Sequence, residues 1–150
     1  MAILLKYDEF KSYVSDLFQD TQIIEEDLRW IYAYLHKGKT EKNYEKAKKI
    51  DVAKLVNNVE ALDFAHQNHQ LNIEDYAVLR QIRNLRNYLA DKIYATFIFN
   101  QDYLKSLEYK NACEKVVNYY EDIHNLISRV HKFKEYVVDW IGEIDRKSKQ

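Results

Sequence analysis

Residues 83–91 read RNLRNYLAD, which sets arginines, asparagines and an aspartate close together in an otherwise ordinary amphipathic pattern. At about 100° per residue, Ile82, Leu85, Leu89 and Ile93 share one face of a helix, while Tyr76, Arg80, Arg83, Asn87, Asp91 and Tyr94 share another. Arg86 falls between the two sets, where its stem is buried and its guanidinium reaches into a groove. Guanidinium forks take phosphates or carboxylates bidentately, so the stripe is a candidate phosphate-reading surface with Arg80, Arg83, Arg86 and Tyr94 as its nucleic-acid-binding residues. The bland alternative is a solvated ladder. Arg83, Asn87 and Asp91 stand at i, i+4 and i+8, where an exposed pair contributes about 0.3–0.5 kcal/mol.

Long helices must position this stripe. Phe10, Val14, Leu17, Thr21, Ile24, Leu28, Ile31 and Leu35 alternate four and three residues apart, the seam of a first helix opened by Asp8 and ended by Gly38. The stretch KGKTEKNYEKAKKID reads as a connector with room for one short helical turn. Asp51 then caps a second helix whose apolar face is Val52, Leu55, Val56, Val59 and Leu62, fading in HQNHQ. Asn72 and Asp75 form a capping pair for a third helix, through Tyr76, Leu79, Ile82, Leu85, Leu89, Ile93 and Phe97, that stops at NQD. From Asp102 to about Asp145 the pattern is helical throughout, with Tyr119, Ile123, Leu126, Val130, Phe133, Val137 and Trp140 as its seam. Unbroken, that helix would be roughly 65 Å long, so it is expected either to kink near Asn111 or Asn118 or to pack its far end on a partner chain.

Composition agrees. The 150 residues include no proline and two glycines, and 47% are apolar, which favours long helices around a real core over any β architecture. The expectation is a single all-α domain over 1–150, an antiparallel four- to five-helix bundle whose excess of seam invites a homodimer. With 23 basic and 24 acidic side chains there is no general attraction to nucleic acid or to anionic membranes. A single cysteine, a start (MAILLKYDEF) without a signal-peptide pattern, and no apolar run of about 20 residues together lead to the expectation of a cytoplasmic protein outside the membrane.

The run LRNYLADKIY, with the preceding DVAKLVNNVEAL and a long final helix, resembles the HEPN superfamily of small helical bundles. That resemblance implies a prokaryotic toxin–antitoxin or phage-defence setting and kinship with metal-independent ribonucleases, using neither metal nor cofactor. The family hallmark, RNxLxH, is met by Arg86, Asn87 and Leu89, with Tyr94 standing for a following aromatic; Asp91 occupies the histidine position. Arg86, Asn87 and Asp91 are therefore the catalytic-position residues. The resemblance implies two protomers facing each other across a cleft, with the arginine on the scissile phosphate and the histidine moving protons. Histidine titrates near neutrality, whereas an aspartate with a reference pKa near 3.9 is ionised, donates no proton and repels phosphate. Cleavage is expected to be lost, either because a lineage turned the cleft into a binding surface or because a toxic ribonuclease was disabled by substitution. The alternative is a non-enzymatic module that pairs with an antitoxin or nucleotidyltransferase.

Other candidates are weaker. His66, His69 and Asp63 have a metal-compatible spacing but sit at a fraying helix end without a third strong ligand. His36, His124 and His131 stand singly, and Cys113 is expected to be a buried thiol. The lysines from Lys37 to Lys54 give a local charge of about plus four, enough to attract RNA if that segment folds beside the Arg80–Arg86 stripe. The thirteen tyrosines are expected mostly as half-buried bundle residues rather than base-stacking platforms.

Overall fold

The computed structural model describes residues 3–148, apart from the side chains of residues 145 and 146, so the first two residues of the MAILL run lie outside it. Every regular element among the described residues is helical: α1 (Tyr7–Leu35), α2 (Thr40–Ala47), α3 (Val52–Ala65), α4 (Ile73–Arg80), α5 (Ile82–Asn87), a π-helical turn (Tyr88–Lys92), a 3₁₀ turn (Tyr103–Lys105) and α6 (Leu107–Ser148). None is long and apolar enough to cross a membrane.

The α1 seam is buried at all eight expected positions. The helix stops at Leu35, three residues before Gly38, whose φ of +108° admits glycine without strain. Asn43 fixes this end: its buried side-chain amide donates to the carbonyls of Ala33 (3.1 Å) and His36 (3.0 Å), leftover acceptors of the α1 terminus. The lysine-rich connector is more ordered than its composition suggested. It forms the two turns of α2, because Asn43 and Ala47 are buried on one side while Tyr44 stacks on Trp30 at 4.1 Å and donates to Glu26 at 2.5 Å.

Side-chain contacts give the directions. Arg86 meets Glu25 and Tyr94 meets Phe10, so α5 and the residues after it run opposite to α1. Arg80 meets Glu60 and Tyr76 meets Asp63, so α4 runs opposite to α3. Tyr109 meets Leu5, Tyr13 meets Tyr120 and Asp27 meets His131, so α6 runs parallel to α1. Successive segments thus alternate in direction, as expected, but after α1, α2, α3 and the α4–α5 arm the fifth returns parallel to the first. That parallel pair carries the most extensive packing in the molecule.

α6 has no break at Asn111 or Asn118. Both asparagines are exposed, so they cost only their modest propensity and displace no core group. Its start lies at Leu107 rather than Asp102. Asp102 adopts a left-handed conformation (φ 50°), and Ser106 Oγ accepts the Tyr109 N–H at 3.1 Å to open the helix. At 42 residues it spans roughly 63 Å. Its core seam, Ile123, Leu126, Val130, Phe133 and Val137, is buried, with Tyr119 and Trp140 half-buried at its edges.

The third helix of the sequence reading is divided. Gln81 relaxes to φ −92°, ψ −3°, the bridge region, and separates α4 from α5. The apolar face nonetheless survives, since Tyr76, Leu79, Ile82, Leu85, Leu89, Ile93 and Phe97 are all buried. The last four stand strictly four apart, and on a 3.6-residue helix three such steps would drift about 120° off the core. The π turn absorbs that drift. The Ile93 N–H reaches back five residues to the Tyr88 carbonyl (2.8 Å), widening the winding so that residues four apart keep one direction.

Candidate nucleic-acid interface

Breaking the third helix redistributes the expected stripe. Tyr76 and Arg80 lie on α4, Arg83, Arg86 and Asn87 on α5, Asp91 in the π turn and Tyr94 beyond it. Three of them remain together: Arg83, Arg86 and Asn87 line one cleft of about 310 Å³ with Phe18 from α1, Ala90, and Ile50, Asp51 and Val52 from the α2–α3 junction. The lysine-rich segment therefore does end beside these arginines. Asp51 opens α3, as expected, but its carboxylate makes no cap; it forms an ion pair with Arg83, stapling the connector to α5.

Arg86 is the best-fixed residue of the site. Its Nη1 donates to both carboxylate oxygens of Glu25 at 2.6 Å, and Glu25 is 3% exposed. Arg29 stands 3.6 Å from the same carboxylate and 3.2 Å from Glu26. Burial works against the charge on Glu26, but hydrogen bonds from Tyr44 and Arg29 outweigh it and hold its pKa below the ordinary carboxylate range. The guanidinium of Arg86 is thus pinned and largely neutralised, while its Nε is buried without a partner among the described residues.

The other expected contacts separate from this cleft. Arg80 turns to α3 and donates to Glu60 (3.1 Å) and Asn57 (3.3 Å). Tyr76 is buried and donates to Asp63 at 2.6 Å; burial, then that hydrogen bond, pushes its phenol well above its ordinary pKa. Tyr94 packs edge-on against Phe10 at 5.7 Å, and burial raises its pKa too, so it serves the core rather than a ligand. Asp91 is exposed, without a hydrogen bond or ion pair to another described residue.

Among the described residues no group of three metal-ligating side chains forms. Around the His66–His69 pair, His66 Nε2 lies 3.2 Å from the Leu35 carbonyl and Asp63 is occupied by Tyr76. Cys113 is fully buried, as expected of a structural thiol. His131 is exposed but not isolated: it bridges Asp27 (3.0 Å) and Glu135 (3.1 Å).

Sequence reading missed Glu25, Phe18 and the role of Asp51. In IIEEDLRW the helix wheel sets Glu25 at the edge of the seam, next to Ile24, and turns Glu26 away from it, but it gives neither acid a partner. Only the approach of α5 makes one a buried counter-ion. No known protein family matches the chain, and no curated protein or solved structure matches it.

Proposed function

We propose that this chain is a HEPN-type helical protein of a toxin–antitoxin or phage-defence system that binds RNA at the Arg83–Arg86–Asn87 cleft and does not cleave it. The observation that carries the reading is the shared cleft itself, in which two arginines and an asparagine of α5 meet the end of the lysine-rich connector. Lysines in the turns on either side of α2 supply long-range attraction, and Arg83, 60% exposed, supplies a fork for phosphate. Cleavage lacks support because the residue in the proton-shuttle position is an exposed aspartate, and because the Arg86 charge is already spent on Glu25.

Fluorescence anisotropy with a structured RNA tests this. Binding should fall with salt, and Arg83→Ala should weaken it several-fold and lower the salt slope by about one. The protein should leave the RNA intact. Cleavage as fast as that by an Asp91→His variant, or binding indifferent to Arg83→Ala and to salt, would defeat the reading.

A second reading, a protein-pairing module for an antitoxin or nucleotidyltransferase, is favoured by one observation. Arg80, Arg83 and Arg86 each face a carboxylate of their own chain, which leaves less free positive charge than the sequence suggested.

A further inference from the structure

A larger cleft lies elsewhere and shares no residue with the arginine site. It encloses about 880 Å³ between α3, the 66–72 turn, the start of α4 and one residue of α6. Two features are unusual together. Phe64 at the end of α3 and Ile73 at the start of α4 both line it and are 77% and 76% exposed, although the rest of α3 and α4 buries its large apolar side chains at least partly. The same walls carry Glu60, Asp63, Glu74 and Asp75. Arg80 answers Glu60 and Arg129 answers Asp75 (2.5 Å), so two carboxylates stay without a cation, Asp63 held only by the Tyr76 hydroxyl and a backbone N–H, and Glu74 open to solvent.

We infer that this cleft is a docking groove for a basic amphipathic helix of a separate protein. Two exposed apolar side chains in the lining of one concave surface are the anchors such a helix needs, and the open carboxylate of Glu74, with half-exposed Glu60 in the same lining, selects lysine or arginine on its flanks. Charge complementarity decides the occupant. An RNA strand is repelled by these walls. The main basic stretch of the chain's own sequence, residues 37–54 around α2, fits poorly as the ligand from a second copy, because the apolar side of its helix, Tyr44 and Ala47, is already packed against its own bundle and offers nothing to Phe64 and Ile73. The inference gives the protein-pairing reading a site and a partner chemistry, and it holds whether or not the arginine cleft binds RNA.

The groove is rigid on its inner side. The Asn72–Asp75 capping box fixes the start of α4 (2.7 and 3.2 Å), and Arg129 ties Asp75 to α6. The backbone that carries Ile73 is therefore held in place before a helix docks.

A fluorescein-labelled peptide of about 18 residues, leucine and lysine in helical i, i+3, i+4, i+7 spacing, is the probe, with glutamate replacing lysine as control. The lysine peptide should bind and the glutamate peptide should not. Phe64→Ser with Ile73→Ser should weaken binding about tenfold, as should Glu60→Lys with Glu74→Lys, whereas the charge-matched Asp16→Lys with Glu121→Lys on the distant α1–α6 face should change nothing. Phe64 and Ile73 are too exposed for their loss to unfold the chain, and circular dichroism verifies that. Equal weakening by the distant pair would reduce the effect to diffuse charge and overturn the proposal. So would sedimentation showing a self-associated protein that Phe64→Ser returns to monomer, since the groove would then belong to a second copy.

Discussion

Nη1 of Arg86 on α5 lies 2.6 Å from both carboxylate oxygens of Glu25 on α1, 61 residues earlier in the chain. This pair joins the arm that carries the candidate RNA site to α1, the helix that also packs against α2, α3 and α6. The same residue that offers a guanidinium to a ligand is thereby a structural tie, and the two roles compete for one charge.

Replacing Glu25 by leucine should destabilise the protein by about 2–3 kcal/mol, below the full 3–5 of a buried pair because Arg86 keeps 35% of its side chain in solvent. Adding Arg86→Met should restore most of that loss, which urea denaturation of the single and double variants measures. Glu25→Gln should instead tighten RNA binding, by freeing Arg86 for phosphate. A weaker RNA affinity in that variant would show that Glu25 orders the site rather than blocking it.

Tyr76 makes stability fall at alkaline pH. Its pKa is raised by burial and by the bond to Asp63, so the folded state holds its proton more tightly than the unfolded one. The contribution is complete below the unfolded value near 10 and is lost progressively as pH climbs above it toward the higher folded value. Unfolding midpoints measured from about pH 8 to pH 11 should decline less steeply for Tyr76→Phe than for the parent.

Asn43→Ala should cost about 1–3 kcal/mol, because the carbonyls of Ala33 and His36 lose their donor at the end of α1. Hydrogen exchange should show the loosening first in α2, whose attachment to α1 depends on this side chain and on the Trp30–Tyr44 stack.

Phe97 and Phe99 are two residues apart and should behave oppositely. Phe97 is fully buried against Phe10 (5.5 Å) and Tyr109 (5.0 Å), so its change to alanine should cost about 3–5 kcal/mol in a chemical melt. Phe99 is 91% exposed, and its change to alanine should stay within about 0.5 kcal/mol.

Helical periodicity carried the architecture well. The seams of α1 and of the 76–97 arm are buried at every expected position, and the Asn72–Asp75 capping box forms as the spacing implies, because these patterns depend on contacts within a few residues. The strict four-residue spacing from Leu85 to Phe97 already held the signal for the π turn, yet a 3.6-residue wheel hides it. Two turns of α2 escaped notice since Asn43 and Tyr44 become helix-stabilising only once α1 lies beneath them.

The residue types at 83, 86, 87 and 91 determined by themselves that no histidine stands among them and that a guanidinium is available. Whether that guanidinium is free was decided only in three dimensions. Arg80, Arg83 and Arg86 each find their carboxylate between 20 and 61 residues away, on α3, at the α2–α3 junction and on α1. Periodicity assigns a side chain to a face, but the charge it meets there comes from whichever helix the fold lays against it, and that depends on long-range packing no local pattern records.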